Sequence, residues 1–338
     1  MCKRLILIPL AGALLAAGCQ LDEAARRQAV NHYVKGQLLA DQGDVDAALR
    51  ELAEAVQADP NLSVAHSAMG DIHRKRGDYE LALQSYDRAC DANPYAFRPH
   101  YNLAVVYQYL AEAAKVVEKA DGYLREAVDV YLRAVTLDPD DFDTNLNLSA
   151  CYFSLGKHAL AEKYCKAAIA IKPDSPQAYS NLGVIYDSQG RVYQAIKAYK
   201  DSLELDVHQP KLLMNLGATY MRQSRLTQAL QAFDLATREA PGSAEAWEQL
   251  ATCRYHRKEY DEALTAYEKA VSLDASSAAA HRGVGVVYMT QYILDRKNTA
   301  LRDKALAAWH TSLELKPDQE DIVRLVRKYA PKVTGPEL

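Results

Sequence analysis

Apolar residues recur along this 338-residue chain at intervals of three and four, in short stripes that come in pairs, and each pair ends at or near a proline. The stretch from Ser175 to Asp206 shows one such unit. Tyr179, Leu182 and Tyr186 mark one face of a first helix, and Ala195 and Tyr199 mark one face of a second. Gly190 stands between them, where a tight turn calls for positive φ. The unit recurs eight times, mostly at a spacing of 34 residues. Prolines close it at Pro60, Pro94, Pro139, Pro173, Pro241 and Pro317, and Val207 and Ala275 hold the two other closing positions. A helix pair of this size cannot bury its own stripe, so consecutive pairs must stack on one another.

Three slots carry the pattern. One is small throughout: Gly36, Gly70, Ala104, Ser149, Gly183, Gly217, Ala251 and Gly285. A larger side chain there would hold the two helices of a unit apart. A second slot is alanine without exception: Ala48, Ala82, Ala127, Ala161, Ala195, Ala229, Ala263 and Ala305. A third reads Ala55, Ala89, Ala134, Ala168, Ser202, Ala236, Ala270 and Ser312. These residues at this period resemble the tetratricopeptide repeat family over Ala29 to Pro317. The resemblance implies an all-α fold: a right-handed superhelical α-solenoid of about eight helix–turn–helix repeats, residues 29–317. Residues 318–338 then form a capping helix and tail, in which Ile322, Leu325, Val326 and Tyr329 share one face and the outer side is polar. Two units run long. The excess between Tyr107 and Gly122 has no helix breaker and predicts longer helices projecting from the stack, and a second, somewhat shorter excess lies between Tyr288 and Ala305. Each reads as a plain surface extension or a partner-binding ridge.

The start of the chain follows another logic. Lys3 and Arg4 precede an apolar run from Leu5 to Ala17, the order of a secretory signal peptide, and the run is too short to span a bilayer. Leu15-Ala16-Ala17-Gly18-Cys19 resembles a bacterial lipobox, with alanine in place of leucine three residues before the cysteine. That resemblance implies a signal peptide over residues 1–18, lipidation of Cys19 with palmitate-type acyl chains, and a tether over residues 19–28. Stable anchoring takes two or more chains. Gln20, not aspartate, follows the cysteine, which resembles the outer-membrane sorting signal and implies the periplasmic face of the outer membrane in a bacterial cell envelope. An extended tether of this length reaches about 35 Å at most.

A net charge of −4 without a basic tract excludes the electrostatic footprint of a nucleic-acid binder. There is no HExxH, P-loop, GxGxxG after a strand or GxSxG elbow, so neither an enzyme nor a cofactor is expected. His32, His66, His100 and His281 share a slot held elsewhere by Tyr179 and Trp247, and read as packing residues, not metal ligands. Cys90, Cys151, Cys165 and Cys253 fit no zinc spacing and read as small packing residues, although Cys151 and Cys165 fall on the two helices of one repeat.

A binding constellation is visible instead. Asn102, Asn147, Asn181, Asn215 and Gln249 occupy one slot of successive first helices. In superhelical members of the family that helix lines the concave face, so the resemblance implies an amide ladder against an extended peptide; asparagine is also common there for repeat-to-repeat bonding. A carboxamide both donates and accepts, and can pair with any peptide bond. Tyr101, Tyr109, Leu146, Phe153, Val184, Met214, Met221, Tyr255 and Met289 are expected to complete an apolar groove. Arg74, Lys75, Arg98, Lys211 and Arg222 are scattered, unlike the basic clamp of cochaperones. The reading is a membrane-anchored interaction scaffold that binds peptide segments or whole partner proteins. The alternatives are a pilotin-like assembly factor for a pilus or secretin system, and the repeat module of an enzyme complex. A second copy of the chain is a further candidate partner, through the groove or the end faces.

Overall fold

The computed structural model describes the backbone of residues 10–331 and the side chains of residues 23–331. The expected signal peptide begins, and the expected tail ends, outside the described residues, and the Cys19 side chain lies outside them too. Among the described residues the chain is helical throughout, with no strand. It divides into two compact units, Met1–Pro173 and Asp174–Leu338. The first holds α1 (Leu10–Asp41), α2 (Val45–Ala58), α3 (Ser63–Arg76), α4 (Tyr79–Ala92), α5 (Phe97–Ala113), α6 (Val117–Leu137), α7 (Phe142–Ser154) and α8 (His158–Ile171). The second holds α9 (Pro176–Ser188), α10 (Val192–Leu205), α11 (Pro210–Arg222), α12 (Leu226–Glu239), α13 (Ala244–His256), α14 (Tyr260–Leu273), α15 (Ala278–Leu294), α16 (Thr299–Leu315) and α17 (Glu320–Tyr329). Each unit is thus four antiparallel helix pairs, and the second adds a terminal helix.

Local chemistry starts and stops these helices. Ser175, Ser243 and Ser277 accept from the amides of Ala178, Ala246 and Ala280, capping α9, α13 and α15, and Asp141 does the same for α7 through Thr144. Such a cap contributes about 1 kcal/mol. Pro176 and Pro210 open α9 and α11, where a missing N–H costs nothing. The turns within the six pairs of ordinary length use a left-handed residue: Gly43, Gly77, Gly156 and Gly190 supply it, while Ser224 and Lys258 adopt φ of 55° and 66° at the same point.

The small slot is explained by what faces it. A Cβ on Gly70 would sit 2.7 Å from the Tyr86 ring, and one on Gly217 would sit 2.6 Å from the Phe233 ring. Gly183 meets Tyr199 and Gly285 meets Trp309 in the same way. Where the slot is Ser149, the opposing residue is Cys165 instead of a ring, and Ser149 Oγ donates to the Ala161 carbonyl at 2.9 Å. All eight alanines of the second slot, and all eight residues of the third, are fully buried. Ser202 and Ser312 are tolerated in that core because each hydroxyl donates to a backbone carbonyl, of Pro176 and Ala278, at 2.7 Å.

The long units are long because their helices are. α5 and α6 have 17 and 21 residues, and α15 and α16 have 17 each, against 13 or 14 for the helices of the other pairs beyond α1. At the C-terminus, α17 lays Ile322, Leu325, Val326 and Tyr329 onto Met289, Leu306 and Trp309. Its Glu320, Asp321, Arg324, Arg327 and Lys328 stay exposed. The expected cap is therefore in place.

Candidate functional site

The shared histidine slot has a structural task. His66 Nε2 donates to the Pro60 carbonyl at 2.9 Å, and His100 Nε2 to that of Pro94 at 3.1 Å. His281 Nε2 meets Ala275 O at 3.1 Å, Trp247 Nε1 meets Pro241 O at 3.0 Å, and Asn145 Nδ2 meets Pro139 O at 3.0 Å. A carbonyl only accepts, so each ring nitrogen carries the proton there. Five different repeats thus use an N–H at one slot to satisfy the carbonyl at the closing turn. Among the described residues, no three His, Cys, Asp or Glu side chains are grouped to hold a metal ion.

Cys90, Cys151, Cys165 and Cys253 are buried thiols. Cys151 lies beside Gln108 and Cys165 beside Ser149. Burial pushes the thiols of Cys90, Cys151 and Cys165 up to about 12 and that of Cys253 up to about 11, so they are neutral packing groups at physiological pH.

The amide slot behaves differently in the two units. In the first, Asn102 Nδ2 donates to Asp71 Oδ1 at 3.1 Å, and the same carboxylate oxygen accepts from the Tyr86 hydroxyl at 2.6 Å. Arg74 Nε donates to that hydroxyl at 3.3 Å. Burial, followed by the neighbouring Asp71 carboxylate, drives the Tyr86 phenol well above its ordinary range. Asn147 Nδ2 reaches the Tyr101 hydroxyl at 3.4 Å, and Tyr101 packs edge-on against Tyr131, whose own hydroxyl donates to Gln108 Oε1. Both amides of this unit already have protein partners.

In the second unit, Asn181, Asn215 and Gln249 are half-buried on α9, α11 and α13, and their carboxamides make no hydrogen bond among the described residues. The reason lies in the neighbouring slots. Where Asp71 stands next to Gly70, the second unit has Val184 next to Gly183 and Ala218 next to Gly217. Where Tyr101 stands one residue before Asn102, it has Ser180 and Met214. Val184, Met214, Met221 and Tyr255 are half-buried and add apolar surface beside the amides. Arg222 is paired with Asp187 and also donates to Thr219 Oγ1 at 3.1 Å, so it is not an unpaired cation at this surface.

Two residues expected on the groove are in the core. Leu146 and Met289 are both only 4% exposed. Met289 is covered because α17 closes the end of the stack over it, a contact that a repeat read in isolation does not reveal. Asp71 was not among the expected site residues, although it organises the first unit's network. Its only signal in the sequence is a carboxylate at a slot that is otherwise mostly aliphatic.

Stacked helix pairs with ring-on-glycine packing define an α-solenoid of helix–turn–helix repeats. Tetratricopeptide repeat models match residues 29–62, 140–206, 180–244 and 214–280, and a TPR repeat model matches residues 70–110. The chain belongs to the tetratricopeptide repeat family, whose members are generally protein-interaction scaffolds or adaptors rather than enzymes. The gap in these matches after residue 110, and their end at residue 280, fall at the lengthened helices. Among curated proteins, none matches the sequence. Among solved structures, the Cut9–Hcn1 hetero-tetramer of APC/C is similar with 18% identity and a TM-score of 0.55, over 85% of this chain and 52% of that one. The chain therefore spans about half the length of that relative. A structure described as the functional characterisation of Pseudomonas aeruginosa pilF is similar with 20% identity and a TM-score of 0.52, over 64% of this chain and 94% of that one. At these identities the likeness is one of fold alone.

Proposed function

We propose that this chain is a lipid-anchored scaffold of a bacterial cell envelope that holds an extended peptide segment of a partner against α9, α11 and α13. The observation that carries this reading is the row of carboxamides at Asn181, Asn215 and Gln249, half-accessible and without a hydrogen-bond partner among the described residues. Each can donate to one peptide carbonyl and accept from one peptide N–H, so the row recognises backbone in preference to side chains. Val184, Met214 and Met221 add an adaptable apolar margin.

The anchor rests on the Cys19 lipobox. Among the described residues no helix is long and apolar enough to cross a membrane. α1 is helical from Leu10, so the stretch from Cys19 to Ala29 rises about 15 Å at 1.5 Å per residue, well under its extended reach. A short, stiff lead keeps the repeats near the lipid surface.

Two experiments test the reading. Fluorescence polarisation would measure binding of the full chain to extended peptides selected from a random display library. Asn181→Ala, Asn215→Ala and Gln249→Ala should each weaken binding; failure to select any peptide, or unchanged affinity in all three variants, overturns the groove. For the anchor, Cys19→Ser should abolish lipid labelling and release the protein from membranes, and membrane retention without label overturns it. Affinity capture from membranes would then narrow the role. A secretin subunit points to pilus or secretin assembly, and a cell-wall synthase or hydrolase to an enzyme complex.

A further inference from the structure

The first repeat leaves uncovered a surface that the other repeats bury. Two residues after the small slot, Ile72, Val106 and Cys151 in the first unit and Thr219, Cys253 and Val287 in the second are all at most 7% exposed. These residues pack on the repeat before their own. Ile72 joins a cluster with Ala48 and Leu52, and the Cys253 thiol donates to the Leu226 carbonyl at 3.6 Å. The matching residue of the first repeat, Leu38, is 57% exposed. Val34 and Val30, one and two turns before it on α1, are 58% and 47% exposed. Val34 stands in the slot that holds an amide in five of the later repeats.

The pattern on this face of α1 is palindromic. Reading outward from Val34, Val30 and Leu38 lie four residues away on either side, and Arg27 and Asp41 lie seven away. All five are exposed and fall on one side of the helix, opposite Ala29 and Gly36, which are buried. If a second α1 is laid antiparallel with a two-fold axis at Val34, Val30 meets Leu38 of the other copy and Arg27 meets its Asp41. Both ends of the contact are then oppositely charged. Among the described residues Arg27 is engaged by an exposed contact to Glu23 at 3.1 Å, which the second carboxylate can share. Among the described residues the opposite end of the chain offers nothing similar, because α17 turns Glu320, Asp321, Arg324, Arg327 and Lys328 outward. A head-to-tail filament is thereby disfavoured, whereas a self-complementary apolar patch closes at two copies.

We infer that the chain forms an isologous dimer through antiparallel pairing of α1, centred on Val34. This goes beyond peptide holding and does not depend on the amide row or on Cys19. The test uses the purified full chain in mild detergent, by sedimentation equilibrium and by site-specific cross-linking. The expected result is a monomer–dimer equilibrium, weakened about tenfold or more by Leu38→Asp, which buries an unpaired charge in the contact. Arg27→Asp and Asp41→Arg should each weaken it about fivefold, and the double exchange should restore it, since opposite charges again face each other. Val34→Cys should yield a 34-to-34 disulfide-linked peptide by mass spectrometry, as only an axis at that residue brings it to itself. Circular dichroism confirms that the exposed substitutions keep the helices. A monomer up to the solubility limit, growth beyond two copies, or a dimer indifferent to Leu38→Asp and to the charge exchange would overturn the inference. So would binding of Val30, Val34 and Leu38 to lipid vesicles in place of a second chain.

Discussion

The two units of this chain carry the same amide at the same slot and use it in opposite ways. In the first, Asn102 and Asn147 are tied to Asp71 and Tyr101. In the second, Asn181, Asn215 and Gln249 are left open. Nothing about the asparagine itself makes the difference. It follows from whether the preceding repeat offers a carboxylate or an aliphatic side chain, and whether a phenol or a methionine stands beside the amide. A repeated residue is therefore a repeated position, not a repeated function. The first unit ties its amides into a network, and the second leaves them accessible among the described residues.

The shared scaffold predicts the largest effects and should not distinguish the units. Gly70→Ala and Gly217→Ala each drive a methyl into a ring and should cost about 1–3 kcal/mol of stability in urea unfolding. Tolerance of either would mean that ring packing differs between the units. Asp71→Ala should cost about 1–3 kcal/mol, because it strips both the Tyr86 hydroxyl and the Asn102 amide of their acceptor. It should leave peptide affinity unchanged; a loss of binding would move the groove into the first unit.

The comparison can also be inverted. Val184→Asp places a carboxylate where Asp71 stands and should close the Asn215 amide, lowering peptide affinity about as much as Asn215→Ala, roughly 1 kcal/mol. Asn102→Ala should do the reverse, reducing stability and sparing affinity. Calorimetric titration and urea unfolding of the same three variants check the pair of statements together.

A smaller effect tracks pH. Where α7, α9 and α11 carry Tyr152, Tyr186 and Tyr220, a cation of the following turn lies over the ring, Lys157, Arg191 or Arg225. The same slot of α3 is His73, and the turn residue is Asp78, 4.0 Å from its Nδ1. Burial holds the His73 imidazole below its usual 6.5 despite that carboxylate, and Nδ1 has no hydrogen-bond partner. The unfolded chain therefore takes up this proton first. Its contribution to stability is present above pH 6.5 and is lost as pH falls below that value. His73→Tyr should flatten the decline in melting temperature between pH 7 and pH 5, and an unchanged slope would assign the decline to other groups.

The turns give the smallest contrast. The first unit uses Gly43, Gly77 and Gly156 where the second has Gly190, Ser224 and Lys258. Lys258→Gly should stabilise the second unit by about 1 kcal/mol, since a left-handed residue with a Cβ is strained, and thermal unfolding would show it.

Much of this was legible along the chain. The 34-residue period, the small slot, the buried alanines, the lengthened helices and the cap at Ile322 follow from local periodicity and volume, which sequence states directly. Tertiary structure decided which amides are open, why histidine and tryptophan share a slot, and that Leu146 and Met289 belong to the core. Those outcomes depend on pairs such as Asp71 and Asn102, 31 residues apart, meeting within 3.1 Å. A helical period sets which face a residue occupies. The partner across the next repeat, which determines whether a polar group is satisfied or available, comes only from stacking.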